Sequence, residues 1–188
     1  MGVTCIDMGG GTTSVAVFFD GELVHTQILP LGGEHVTNDI SRGLVTPLIH
    51  AERMKTLYGN ALPSVSDDEQ VIQVPLMGDD LMDEGSTVPR SMLVGIVRPR
   101  VEEIFEQLRD RLAESGFDKV AGRGLVLTGG ASQLAGVAEL ASRILDKQVR
   151  LGRPLAMNGM PEAAAGPTFA TCRGLLHYGL GHGAKEAD

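Results

Sequence analysis

The sequence has no tryptophan, and only 4% of its 188 residues are aromatic. It has two cysteines, Cys5 and Cys172, without the paired cysteine or histidine spacing that binds zinc, so we expect both thiols to be buried and reduced. No apolar run approaches the roughly 18 residues that a membrane span needs, and no basic stretch leads into an apolar signal core. The five histidines are scattered and predict no metal site. These absences favour a cytoplasmic globular protein.

Basic side chains are in the minority. The chain has 16 Lys and Arg residues against 24 Asp and Glu residues, a formal net charge of −8. Such a surface repels nucleic acid and anionic lipid, so we expect neither as a partner. With 43% hydrophobic residues, the chain is long enough to bury a core as one domain or two small ones.

The spacing of apolar residues predicts strands that alternate with helices. The predicted strands are Val3 to Met8, Ser14 to Phe19, Leu23 to Leu31, Val71 to Met77, Leu125 to Leu127 and Gln148 to Leu151. The predicted helices are Glu34 to Leu44, Pro47 to Tyr58, a helix through Val101 and Leu112, Gln133 to Leu145, and Ala163 to Leu176. Pro99 is expected to kink or interrupt any helix that arrives from Ser91. The order predicts an α/β fold.

A glycine-rich turn joins the first two predicted strands. Its segment is Asp7-Met8-Gly9-Gly10-Gly11-Thr12-Thr13. Glycines let backbone N–H groups approach an anion without side-chain obstruction, so the turn can hold phosphate. Asp7 ends an otherwise apolar strand, where it is placed to hold magnesium through water or to orient an attacking water. A plain hairpin with an Asp cap fits the same residues.

Two further segments carry chemistry. In Thr128-Gly129-Gly130-Ala131-Ser132 a buried strand turns into a helix, and the glycines expose flat backbone on which a purine can pack. An ordinary tight strand-to-helix turn also fits that pattern. Glu52 and Lys55 are spaced i,i+3 on one helix face, where they can contact a ribose or an adenine edge, or form only a solvated ion pair.

The order of these three segments carries a family likeness. It resembles the second half of the actin, heat-shock chaperone and sugar kinase superfamily, in which they are the second phosphate loop, the adenosine-contacting helix and the adenosine loop. Within that superfamily the chain is most similar to the FtsA family of bacterial cell-division proteins. That closer likeness lies in His25-Thr26, Thr37-x-Asp39-Ile40, Ala51-Glu52-x-x-Lys55, Arg98-Pro99-Arg100 and Gly174-Leu175-Leu176-His177-Tyr178-Gly179.

The resemblance implies an actin-like, ribonuclease H-like ATPase lobe. Its sheet would be five-stranded and mixed, flanked by helices, with a small inserted α+β subdomain. Residues 1–45 and 116–180 would form the core, residues 46–115 the insertion, and residues 181–188 a disordered tail.

The resemblance also implies a site and a cofactor. FtsA-like proteins bind ATP with magnesium between two lobes. Carried onto this sequence, the phosphate-binding residues are Asp7, Gly9, Gly10, Gly11, Thr12 and Thr13, with Asp7 holding magnesium through water. The adenosine-binding residues are Glu52, Lys55, Gly129, Gly130 and Ala131.

FtsA-like proteins polymerise like actin and tether the tubulin-like protein FtsZ to the cytoplasmic face of the inner membrane through a C-terminal amphipathic helix. The inserted subdomain is the family's docking surface for the FtsZ tail. Here Arg100 and Glu103 occupy the matching stretch, where Arg100 can pair with a carboxylate of a docked peptide. The implied partners are thus the FtsZ tail, other FtsA-like subunits and other division proteins. A solvated helix face fits the same two residues.

Two departures from the family pattern lower the expected activity. The sequence begins almost directly on the strand of the second phosphate loop, and it lacks the C-terminal amphipathic helix. With one lobe holding the phosphates we expect weak nucleotide binding, no catalytic residue, and at most weak ATPase activity in a two-lobed protein. The loop motifs alone leave open a lobe of another actin-like ATPase, such as a pilus-assembly adaptor, a chaperone or a sugar kinase.

Overall fold

Seven strands and five α-helices make up the fold in the computed structural model, which describes residues 2–75 and 86–183. The strands are β1 (Gly2–Met8), β2 (Thr13–Phe19), β3 (Glu22–Leu29), β4 (Val71–Val74), β5 (Ser86–Pro89), β6 (Gly124–Thr128) and β7 (Gln148–Leu151). The helices are α1 (Gly33–Gly43), α2 (Leu48–Tyr58), α3 (Arg90–Ser115), α4 (Val137–Leu145) and α5 (Ala170–Gly183).

Five strands form one mixed sheet in the order β3-β2-β1-β6-β7. β1, β2 and β3 form an antiparallel meander, and β6 and β7 run parallel to β1. The predicted five-stranded mixed sheet is confirmed. Because β1 and β6 are parallel neighbours, Asp7 and Thr128 lie side by side at the carboxyl ends of their strands. The glycine-rich turn after Asp7 and the turn after Thr128 therefore lie next to each other, at the carboxyl ends of β1 and β6.

One face of the sheet is buried under helices. Alternate residues of the central strands, such as Ile6 on β1 and Leu127 on β6, are fully buried and share a core cluster with Ile104, Phe105 and Leu108 of α3. This alternation follows the two-residue period of a strand, which sends every second side chain to the same face. Removal of these side chains from water is the main source of stability.

β4 and β5 form a separate two-stranded antiparallel sheet within the predicted insertion. Arg90, the first residue of α3, fixes this region. Its Nη1 contacts Oδ1 of buried Asp67 at 2.9 Å and its Nε donates to the carbonyl of Tyr58 at 2.8 Å. The same guanidinium also reaches Oε1 of Gln70 at 3.2 Å. Of the predicted strand from Val71 to Met77, the last two residues lie outside the described residues.

α3 continues through Pro99 without interruption, from Arg90 to Ser115. A helical proline loses one N–H group, and its ring crowds the carbonyl four residues earlier. That residue is Gly95, which has no side chain to hinder a small backbone adjustment, and an added Cβ there would meet nothing within 4 Å. Buried side chains on both sides of the proline, including Val97 and Val101, hold the two halves in one helix.

The last two predicted helices begin later than expected. After β6 a short 3-10 turn covers Gly130–Gln133, and α4 starts only at Val137, because Gly136 has a positive φ of 77° that breaks the helix. The final helix starts at Ala170, and the chain before it contains 3-10 turns at Glu162–Ala164 and Pro167–Phe169. Of the predicted tail, residues 181–183 are the end of α5, and residues 184–188 lie outside the described residues.

The prediction that both thiols are buried is wrong for Cys172, which is exposed, while Cys5 is half-buried. The error arises because α5 leaves most of its surface uncovered, so its apolar residues are not core residues. Among the residues that the structure describes, no helix combines the length and the apolar character needed to cross a bilayer.

Candidate functional site

The turn between β1 and β2 offers free backbone donors. Its carbonyl oxygens are used by the start of α1: Gly33 N donates to Gly9 O and Glu34 N donates to Gly10 O, both at 2.9 Å. Gly9 N is also used, because it donates to the carbonyl of Thr12 at 2.9 Å. For the N–H groups of Gly10, Gly11 and Thr12, by contrast, the described residues supply no acceptor. Unpaired backbone donors of this kind are what an anion-binding loop requires.

The approach of α1 to this turn is unusually close. A Cβ on Gly32, which precedes α1, would lie 2.4 Å from the carbonyl oxygen of Gly10 and 2.6 Å from that of Gly9. Only glycine allows this contact, and it places the positive end of the helix dipole against the turn. The arrangement holds the backbone of the turn in place before any ligand arrives.

Asp7 is fixed on both sides at the end of β1. Its Oδ2 accepts a hydrogen bond from the hydroxyl of Thr171, on the first turn of α5. Its Oδ1 lies against Gly129, where an added Cβ would come within 2.2 Å of that oxygen. The carboxylate therefore sits between the turn after β1 and the turn after β6.

Glu52 and Lys55 are paired on α2, as their spacing predicts. Lys55 Nζ lies 2.6 Å from Glu52 Oε2 and donates to Thr37 Oγ1 at 2.8 Å and to the carbonyl of Gly33 at 3.1 Å. Partial burial acts to raise the pKa of Glu52, but hydrogen bonds from Lys55 and Thr37, together with the charge of Lys55, outweigh it and lower that pKa. The pair is thus a charged group that ties α2 to the start of α1.

A cleft of about 820 Å³ brings the three predicted segments together. Its lining residues come from the turn after β1, the start of α1, α2 and the turn after β6: Gly9, Gly10, Gly33, Glu34, Thr37, Asn38, Leu48, Ile49, Glu52, Lys55, Thr56, Gly130, Ala131, Gln133, Leu134 and Thr168. Polar groups converge in it from several elements, as in ligand-binding clefts generally. Segments that are about 115 residues apart in sequence thereby share one concave surface.

Some predicted site residues lie at or beyond its margin, and Asp7 and Gly129 are not among the residues that line it. Gly11 and Thr12 are exposed at the tip of the turn. Thr13 is fully buried, and its hydroxyl donates to the carbonyl of Leu31 at 2.8 Å, so its side chain is not available to a ligand.

Arg100 and Glu103 are on α3 and interact within the chain. Arg100 donates from Nε to Asp39 Oδ2 at 2.5 Å and from Nη2 to Asp39 Oδ1 at 3.1 Å. Its Nη1 contacts Glu103 Oε2, also at 2.5 Å. The hydrogen bonds to Asp39 raise the pKa of Arg100, against the lowering effect of burial. These residues therefore connect α1 to α3, a contact that helix periodicity alone does not reveal.

Sequence reasoning missed three threonines at this site. Thr37 accepts a hydrogen bond from the Lys55 ammonium, Thr168 lines the cleft, and Thr171 donates a hydrogen bond to Asp7. Thr168 and Thr171 flank the start of α5, whose position was predicted seven residues too early, from Ala163 rather than Ala170. A correct helix start would have placed Thr171 in its first turn.

The donor set at Asp7 suits a magnesium ion bound mainly by water and phosphate. Magnesium usually keeps several waters and takes only one or two protein carboxylates. Asp7 is the penultimate residue of β1, and Oε1 of Glu34 lies 2.9 Å from the position that a Cβ on Gly10 would take, so two carboxylates lie near the turn. Within residues 2–75 and 86–183 no cluster of three or more His, Cys, Asp or Glu residues offers a protein cage. A magnesium ion held mainly by water and phosphate oxygens fits these residues.

The sheet order and the two glycine turns around the cleft belong to an actin-like fold. The fold superposes on MreB5 of Spiroplasma citri, solved with AMPPNP bound, with a TM-score of 0.72 at 14% identity, covering 99% of this chain and 55% of that one.

Residues 4–174 match the family described as Cell division protein FtsA, and the chain belongs to that family. It is 51% identical over 178 residues to the cell division protein FtsA of Rhizobium meliloti (strain 1021), covering 95% of this chain and 40% of that protein. It is 40% identical over 188 residues to that of Pseudomonas aeruginosa, covering 100% of this chain and 44% of that protein. The chain thus spans less than half the length of these relatives.

Proposed function

We propose that this chain is the nucleotide-binding lobe of an FtsA-like protein and that it holds one side of ATP with magnesium. The observation that carries the proposal is that three segments, separate in sequence, line one cleft: the turn after β1, α2 and the turn after β6. The turn after β1 would hold the phosphates, and α2 together with the turn after β6 would hold the adenosine.

Each part of the cleft supplies a different interaction. The N–H groups of Gly10, Gly11 and Thr12 donate to phosphate oxygens, and Asp7 orients magnesium-bound water. Lys55 and Glu52 contact the sugar, and the flat backbone at Gly130 receives the purine. Magnesium, when bound, neutralises phosphate charge. The chain contributes binding and orientation, and we assign no residue as a base for hydrolysis.

ATP binding should depend on Lys55. Titration of magnesium-ATP into the chain is expected to give weak, saturable binding, and Lys55→Met should lower the affinity by about tenfold because a charge-assisted contact in the cleft is lost. Isothermal titration calorimetry measures the affinities of the parent chain and of the variant. Lys119→Met is the matched control, since Lys119 is exposed on the loop before β6 and the same charge is removed. Equal affinities for the parent and the Lys55 variant would contradict the assignment.

A second proposed role is to dock the C-terminal tail of FtsZ, which in the full-length protein would link the division ring to the cytoplasmic face of the inner membrane. An apolar surface in the insertion favours it. Val65, Val71 and Met92 are 97%, 67% and 49% exposed. Arg90 hydrogen-bonds to Asp67 and Gln70, and these three residues are called the Arg90 cluster. Val65, Val71 and Met92 each lie within two residues in sequence of one of them, so the two segments bring exposed apolar residues to one region. Exposed apolar groups that lie together mark interaction sites.

We expect Arg100 to contribute less to peptide binding than the family likeness implies. Its guanidinium already binds the carboxylate of Asp39 through two nitrogens and contacts Glu103. A peptide carboxylate would have to compete with both acids. Apolar anchors of the insertion are therefore the better candidates for binding energy.

Docking should depend on Met92. A synthetic peptide of the FtsZ C-terminal tail is expected to bind this chain, and Met92→Glu should weaken binding by about tenfold through loss of an apolar anchor. Fluorescence anisotropy of the labelled peptide gives the affinities. Leu180→Glu on α5 is the matched control, because Leu180 is 67% exposed and lies outside the insertion. If both variants weakened peptide binding equally, the assignment of the insertion as the docking surface would be wrong.

Association with other FtsA-like subunits, in the manner of actin, and with other division proteins belongs to the same proposal. The relatives that this chain matches are more than twice as long as the chain itself. The described residues supply one lobe to such an assembly.

A further inference from the structure

We propose that Thr171 is a positioning residue of the nucleotide site, whose hydroxyl orients the Asp7 carboxylate for magnesium-bearing nucleotide. The inference rests on the proposed function and adds to it. It assigns a role to the start of α5, an element that none of the three predicted segments includes.

The two oxygens of Asp7 have different surroundings. Oδ2 accepts a hydrogen bond from the hydroxyl of Thr171, and Oδ1 lies against the bare Cα of Gly129. Although Thr171 is exposed, its hydrogen bond and the contact with Gly129 favour one orientation of the carboxylate. Groups that orient a metal-associated carboxylate by hydrogen bonding typically change metal affinity when they are removed, since the carboxylate then samples unproductive orientations.

The start of α5 also reaches the other end of the cleft. Thr168, three residues before Thr171, accepts a hydrogen bond from Gln133 Nε2 at 2.9 Å and lies beside Gly130. Thr168 therefore contacts the turn predicted to hold adenosine, and Thr171 contacts the carboxylate beside the predicted phosphate turn. One short stretch of chain thus joins the two turns across the cleft.

The rest of α5 does not explain this contact as ordinary packing. After the buried Arg173, the residues of α5 through Gly181 are all exposed. The start of the helix is held by Arg173, whose Nη1 donates to the carbonyl of Ala164 at 3.4 Å, and by the Thr171 hydroxyl, which is the side-chain contact that it makes with Asp7. The hydrogen bond thus acts where magnesium is expected rather than in the core.

The test compares ATP affinity in the presence of magnesium with ATP affinity in excess EDTA, for the parent chain and two variants. Thr171→Val keeps the shape of the side chain and removes the hydroxyl. It should weaken binding by about tenfold in magnesium and leave binding in EDTA unchanged, because the orientation of Asp7 matters only to the magnesium-dependent part. Thr171→Ser should restore the parent affinity in magnesium.

Three outcomes would overturn the inference. They are a valine variant that binds as the parent does, a valine variant that loses equal affinity in magnesium and in EDTA, and a serine variant that fails to rescue. The second would show a merely structural contact, which a thermal melt of the same variant would detect as lost stability. Absence of ATP binding by the parent chain under both conditions would instead refute the nucleotide-binding role itself, and the inference with it.

Discussion

Gly129→Ala is expected to lower the free energy of unfolding by about 3 kcal/mol. Gly129 has φ of 88° and ψ of 165°, a backbone region that residues with a Cβ rarely adopt. An added Cβ would lie 2.2 Å from Asp7 Oδ1 and 2.4 Å from the carbonyl oxygen of Met8, so strain and collision act together. Urea denaturation followed by circular dichroism measures the loss. Nucleotide binding should fall as well, because Asp7 must move.

The neighbouring glycine supplies the control. A Cβ on Gly130 would meet Thr168 at 3.7 Å, an ordinary contact, and Gly130 has no positive φ. Gly130→Ala should therefore change the free energy of unfolding by less than about 1 kcal/mol. If the two variants unfolded at the same urea concentration, the close approach of β6 to Asp7 would be refuted.

Arg90→Met is expected to cost about 3 kcal/mol of folding free energy. The side chain of Asp67 is only 2% exposed, and removal of the guanidinium leaves it with the Ser64 N–H, at 2.7 Å, as its hydrogen-bond donor. A buried carboxylate without a counter-charge is strongly destabilising, while methionine preserves most of the packing of the aliphatic stem. Urea denaturation at neutral pH is again the measurement.

Arg98→Met is the matched control on the same helix. Arg98 pairs with Glu102 at 2.7 Å, but their side chains are 43% and 31% exposed. An ion pair of this kind contributes only about 0.5 kcal/mol, since solvent screens the charges. Equal losses for the two variants would mean that the Arg90 cluster does not hold the insertion together.

The central sheet could be predicted because each of its strands carries a local signal. Alternating buried residues define β1, which contains Ile6, and β2, which contains Val17. The apolar run at Leu125 defines β6. Their glycine turns then fall at one edge, because parallel neighbours end together. The turns at the strand ends could therefore be located from the sequence, whereas a common site for them and α2 was implied only by the family resemblance.

The start of α5 and the partner of Arg100 could not be predicted for different reasons. The segment from Ala163 to Phe169 has good helix formers, but Gly166 and Pro167 divide it into short 3-10 turns. The pairing of Arg100 with Asp39 joins residues 61 positions apart, and no periodicity in one helix encodes a partner on another. Continuity of α3 at Pro99 likewise depends on packing rather than on local preference.

α3 connects the insertion to α1. Its 26 residues span roughly 39 Å at 1.5 Å per residue. Arg90 at one end contacts the insertion, and Arg100 near the middle binds Asp39 of α1, the helix whose first N–H groups donate to the turn after β1. One continuous helix therefore connects the insertion, through α1, to the turn after β1.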